Sequence, residues 1–143
     1  MFNPVPLNQS YHLGDYKFAL YDISGFDFQE ELNLPHTNGV YCFSTPVFKQ
    51  EIKLVNGKHI YVMHHKLKYL GKTQDFARRF DHHHKADDLI REKPLRVGIY
   101  YCAEGENETT IESQLLSQFI FPLNEIDNEE PRQEFKPDWV IED

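Results

Sequence analysis

Apolar and polar positions recur along this chain in segments that read as separate elements. In Tyr16-Lys17-Phe18-Ala19-Leu20-Tyr21 large side chains occupy every second position, the period of a strand with one buried face. The rest of residues 1–38 reads as an irregular lead-in that ends in the punctuation Pro35-His36-Thr37-Asn38-Gly39. Val40-Tyr41-Cys42-Phe43 is a compact β-branched and aromatic run, the first core strand. Ile52 to Val55 and Ile60 to Met63 flank Asn56-Gly57, a dipeptide that takes positive φ at both centres of a type I′ turn, so a hairpin is predicted there. Lys68 to Gly71 gives a further strand.

The period then changes. Phe76, Phe80 and His83 or His84 recur at helical spacing, predicting a helix that begins at Gln74 or Asp75 and fades near Lys85 to Asp88. Val97-Gly98-Ile99-Tyr100-Tyr101-Cys102 reads as a central strand, and Glu104-Gly105-Glu106-Asn107 as a polar turn. Ile111, Leu115, Leu116, Phe119 and Ile120 then predict a second helix, capped by Asn107 or Thr109 and stopped by Pro122. The sum is an α+β fold: a small mixed, mainly antiparallel sheet flanked by helices, in a single domain with its core at residues 39–124. Glu125 to Asp143 is an acidic stretch expected to wrap the surface or stay partly mobile.

Composition narrows the class. With 143 residues, 40% of them apolar and eleven Phe and eight Tyr among them, the chain has material for one sizeable core and not for general disorder. No run approaches the roughly 20 apolar residues of a membrane span, and Met1-Phe2-Asn3-Pro4 lacks the parts of a signal peptide, so a cytoplasmic location without membrane attachment is expected. Cys42 and Cys102 each follow a Tyr in an apolar run, as buried free thiols do.

The net charge of −8 argues against nucleic acid until its distribution is read. Between Lys49 and Arg96 lie twelve basic residues and six acidic ones, a net of +6; the flanks hold three basic and seventeen acidic, a net of −14. Six of the eight histidines share the basic segment, adding positive charge as pH falls. Lysines on a solvated hairpin face would produce the same asymmetry.

An ordered constellation runs through that segment and past both its ends: Gly39-Val40-Tyr41 before it, Tyr69-Leu70-Gly71-Lys72-Thr73 within it, with Arg79 eight residues after Gly71 and His83 four further on, and beyond it Glu112 followed twelve later by Asn124. This order resembles the GIY-YIG nucleases, with Val40 and Leu70 standing for the named isoleucines. The resemblance implies a divalent-metal-dependent endonuclease that hydrolyses DNA through a single-metal site. Tyr41 would be the general base and Tyr69 its neighbour on the adjacent strand. Arg79 would stabilise phosphoryl charge, and His83, on the same helix face, would exchange a proton. Glu112 would hold Mg²⁺ or Mn²⁺. Asn124 would bond backbone near the site or orient Glu112.

Physical chemistry is compatible with each role. A carboxylate suits hard, hydrated Mg²⁺, and an Arg fork matches phosphoryl oxygens. A phenol, which titrates near about 10, acts as a base only beside a cation, and Lys72 or the metal is the candidate; alternatively Tyr41 orients a metal-bound hydroxide. Lys66, Lys68, Lys72 and Arg78 are candidate phosphate contacts. The run His82-His83-His84 also raises zinc, although helix neighbours point in different directions. The long interval between Tyr41 and Tyr69 carries the extra hairpin with Lys49, Lys53, Lys58, Lys66 and Lys68, which either enters a DNA groove, extends the sheet or forms a dimer edge. The alternatives to cleavage are a catalytically silent nuclease fold that binds nucleic acid or protein, and a part of a larger complex.

Overall fold

The structure, a computed structural model, describes residues 1–80, 83–124 and 138–141. Six strands dominate it: β1 (Val5–Leu13), β2 (Tyr16–Asp22), β3 (Gly39–Val55), β4 (Lys58–Thr73), β5 (Arg96–Tyr101) and β6 (Asp138–Ile141). They pair antiparallel in the order β1-β2-β5-β3-β4-β6 and close into a barrel. The mainly antiparallel α+β class expected from the sequence is the one observed. The closure is not, because it depends on strands outside the 39–124 core. β1, read as irregular lead-in, pairs with β2, and β6 bridges β1 at Ser10↔Val140 and β4 at Val62↔Val140. Pro6 and the polar run Asn8-Gln9-Ser10 hide the alternation of β1, and the register shifts between Pro6 and Ser10, where Asn8 takes φ 53°.

Alternation sorts the strand side chains into two layers. Tyr11, Leu13, Phe18, Leu20, Val40, Cys42, Leu67 and Leu70 form one cluster that reaches across non-neighbouring strands, so it fills the barrel. Tyr11 of β1 lies against Gly98 of β5, where an added Cβ would overlap its ring, and this explains a glycine in mid-strand. Tyr41, Phe43, Tyr69, Val97 and Ile99 point outward and are covered by Ile23, Phe26, Phe28, Leu32 and Leu34 and by the short helices.

β3 and β4 continue past the barrel wall as a two-stranded ribbon to Asn56-Gly57, whose φ values of 50° and 77° meet the turn's requirement. The predicted extra hairpin is therefore the distal part of the two motif strands, after register shifts between Phe43 and Ser44 and between Val47 and Gln50.

The helices are shorter than their spacing predicted. In place of one helix running toward Lys85 there are two single turns, α1 (Phe76–Arg79) and α2 (Ala86–Leu89). Asp75 caps α1 as expected, accepting from the Ala77 amide. Past it, His83 draws the chain into a local turn, its Nδ1 accepting from the Lys85 amide and its carbonyl from Ala86. The third helix, α3 (Glu108–Gln118), is capped by Asn107. It ends at Phe119, which is extended, before Pro122 can act.

The turn after β1, the start of β3 and the ends of β4 and β5 all lie at one end of the barrel by their register. α3 lies across that mouth: Asn38 donates to Glu108, Lys72 to Thr109 and Tyr16 to Gln114, each at 2.9 Å. Ile111 and Leu115 plug the interior. Among the described residues no helix is long and apolar enough to cross a membrane.

Candidate active site

Tyr41 and Tyr69 share the outer face of β3 and β4 because Phe43 pairs with Tyr69 and Tyr41 with Gly71. Tyr41 lies over Gly71, where a Cβ would overlap its ring. A glycine in this strand is thus the clearance for the tyrosine. Three aromatic residues, Phe43, Phe76 and Phe80, meet Tyr41 edge-on at centroid distances of 5.5, 6.4 and 4.8 Å.

His83 completes the group. Its ring lies 5.9 Å from that of Tyr41 and 5.1 Å from that of Tyr69. Its Nε2 is 2.9 Å from the Tyr41 oxygen, in a buried hydrogen bond. The tautomer follows from the other nitrogen: the Lys85 amide, 3.0 Å from Nδ1, can only donate, so Nδ1 holds a lone pair and the proton sits on Nε2. His83 therefore donates to Tyr41. His84 makes a parallel contact, with Nε2 3.3 Å from the Tyr69 oxygen, and the two imidazoles stack at 4.7 Å.

The group is sealed. Tyr41 is 0% exposed, His83 3% and Tyr69 8%. Phe28 forms part of the cover, with its ring 6.3 Å from His83 and its backbone at φ 61°, unusual for a bulky residue. Beside it a cavity of about 310 Å³ is lined by Asp27, Gln29, His83 and Asp87 among others. Nothing in the sequence pattern marks Phe28 as a neighbour of this site, since it sits in an irregular segment.

The remaining candidates lie elsewhere. Arg79 ends α1, and its side chain, like those of Lys49 and Lys53, is outside the described residues, as are Asp81 and His82. His83 is not on a helix with Arg79, so the shared helical face expected for them is replaced by a turn. Lys72, expected as a cation beside the Tyr41 phenol, pairs with Val40 and points to the opposite face, where its Nζ bonds Thr109. Successive strand residues alternate, so Gly71 faces Tyr41 and Lys72 cannot.

Glu112 is half-buried on α3, the helix packed on that opposite, mouth side. One turn earlier Glu108 is held below the usual carboxylate range by the Asn38 amide, with its own backbone amide and Lys72 assisting. Glu108, Thr109, Lys72, Thr73 and Gln74 line a cavity of about 350 Å³.

Asn124 bonds backbone, the first of its two expected roles. Its Oδ1 accepts from the Leu70 amide at 2.9 Å and its Nδ2 donates to the Leu70 carbonyl at 2.8 Å. Leu123 donates to the Lys68 carbonyl. The segment after α3 thereby pairs with the free edge of the YLG stretch. Of the candidate phosphate contacts, Lys66 is exposed, Lys68 is ion-paired to Glu92 at 3.2 Å, and Arg78 is exposed near Asp75 at 3.8 Å.

Among the described residues no group of three or more His, Cys, Asp and Glu side chains stands close enough to cage a metal, zinc included. A half-buried glutamate suits Mg²⁺ that keeps most of its waters, and does not suit a closed protein cage. Cys42 and Cys102 are free thiols. No family model, no curated protein and no solved structure matches the chain.

Proposed function

We propose that the chain is a divalent-metal-dependent endonuclease that hydrolyses DNA phosphodiester bonds, working in the cytoplasm as a homodimer or within a larger complex. The observation that carries this reading is the Tyr41–His83 hydrogen bond beside Tyr69, at the junction of the two strand motifs. A donor on the Tyr41 oxygen offsets part of the desolvation that burial imposes on a phenolate, which helps a base that removes a proton from water. Arg79 would neutralise charge developing on the phosphoryl oxygens, and Glu112 would hold the metal. Magnesium or manganese, when bound, would supply further charge neutralisation and a more acidic water. The basic segment, net +6 between Lys49 and Arg96, supplies attraction for DNA.

One observation favours the silent alternative, in which the fold binds nucleic acid or protein without cleaving. Tyr41 and His83 are sealed beneath Phe28, and α3, which carries Glu112, packs on the other side of the wall. Cleavage on the first reading requires the cover to move. Supercoiled and linear DNA incubated with Mg²⁺ or Mn²⁺ separates the readings: the native chain nicks or cuts, and Glu112→Ala, Arg79→Ala and Tyr41→Phe do not. DNA retarded in a gel and left intact by the native chain establishes the alternative.

A further inference from the structure

The interior of the barrel turns polar toward the end away from α3. Leu20, Cys42 and Gly98 face inward in its apolar part, Gly98 against the Tyr11 ring. Two residues away on the same strands stand Asp22, Ser44 and Arg96, which alternation turns to the same side. Register sets the three abreast, Arg96 of β5 between Asp22 of β2 and Ser44 of β3. Direct cross-strand neighbours have Cβ atoms about 4.5–5.5 Å apart, so Arg96 and Ser44 share one small space. Ser44 is 0% exposed, and among the described residues its Oγ has no hydrogen-bond partner. Nε and Nη1 of Arg96 are likewise buried and unmatched, in a side chain 17% exposed overall. Asp22 does not serve them: its Oδ2 lies 3.1 Å from Nη1 but off the line of a hydrogen bond, and its Oδ1 accepts from the Ser24 amide and hydroxyl.

We infer that this end of the barrel is a binding site for an oxyanion group, the phosphate or carboxylate of a small molecule, held between the Arg96 guanidinium and the Ser44 hydroxyl. An unmatched buried donor costs folding free energy, and more so on a charged group. A guanidinium only donates and the hydroxyl beside it has its proton to give, so what suits the pair is an acceptor. An ionised oxygen is favoured over a neutral carbonyl because it meets the charge of the guanidinium as well as its N–H groups. Asp22 does not exclude an anion there, since it is more exposed than Arg96 and solvent screens its charge from the buried side. Tyr41 and His83 lie on the outer face of the same wall, so the site is separate from the candidate hydrolytic centre and does not depend on cleavage.

Thermal melting of the full chain in phosphate, in acetate and in chloride at equal ionic strength tests this without any activity. At least one oxyanion should raise the midpoint saturably over chloride, by about 3–6 °C at ten times its dissociation constant, and the tighter of the two assigns the group. Ser44→Ala should melt no lower than the native chain in chloride, because it removes an unmatched hydroxyl. It should bind the oxyanion about three- to tenfold more weakly, the worth of one hydrogen bond. Arg96→Gln should abolish the rise, and Lys58→Gln with Lys66→Gln, both exposed, should leave it. A midpoint that responds to neither oxyanion, or only linearly without saturation, overturns the inference. So does a rise that Ser44→Ala leaves unchanged or that the lysine variant removes, which marks an adventitious ion only. Should Arg96→Gln fail to fold, the affinity of Ser44→Ala decides.

Discussion

Tyr41 and Gly71 show how much of this site is a matter of single side chains. The tyrosine ring occupies the space where residue 71 would carry a Cβ, so Gly71→Ala must push the ring or the strand aside. The expected cost is about 1–3 kcal/mol, as for overpacking elsewhere, read as a lower urea midpoint at unchanged slope. A variant as stable as the native chain would mean that Tyr41 does not lie where described. Sequence reading placed Tyr41 and Tyr69 side by side because strand alternation is a local rule. The same rule sends Lys72 to the other face, with Val40. His84 and Phe28 were less accessible: one stands in a turn set by the backbone amide of Lys85, the other in an irregular segment with no period to read.

At the scale of elements, the strands were legible and the first helix was not. Phe76 and Phe80 keep helical spacing because both fill the aromatic cluster, yet the helix is one turn long. Asp75 fixes its start, accepting from His36 as well as from Ala77, and the His36 hydrogen bond, followed by the Ala77 amide, lowers its pKa. A carboxyl whose folded pKa is depressed adds stability above its unfolded value, about 3.9, and loses it as pH falls through the folded one. Asp75→Ala should therefore destabilise at pH 7 and make little difference at pH 2, in paired urea titrations. An equal loss at both pH values would show that the carboxylate charge is irrelevant.

The β3–β4 ribbon is the other element with a specific role to test. Its basic residues include Lys58 and Lys66, both exposed. Changing Lys49, Lys53, Lys58, Lys66 and Lys68 to Gln should flatten the dependence of DNA affinity on salt, since each phosphate contact adds about −0.9 to the slope. An unchanged slope would remove the ribbon from the interface.

The whole molecule is where sequence reading fell furthest short. Closure of the barrel rests on β1 and β6, segments whose pairing is long-range and whose own patterns are weak. It also explains Cys42: inside the barrel, burial pushes its thiol up to about 12. Cys102, half-buried near the mouth, should take iodoacetamide first, with Cys42 reacting only on unfolding, as followed by mass spectrometry. Equal labelling of both thiols in the native chain would mean an open sheet. Charge acts at this scale too, since a net −8 conceals a basic middle; on the proposed nuclease reading that middle would meet DNA and the acidic flanks would be repelled by it.

The central claim is that Tyr41, Arg79 and Glu112 make a hydrolytic centre. Its most direct measurement is nicking of supercoiled DNA in Mg²⁺ by the native chain beside Tyr41→Phe, Arg79→Ala and Glu112→Ala at equal concentration. The account expects nicking by the native chain and a loss of about a hundredfold or more in each variant, comparable to removing a charge-stabilising group or general base. Equal nicking by all four, or none by the native chain on any form of DNA, would contradict it.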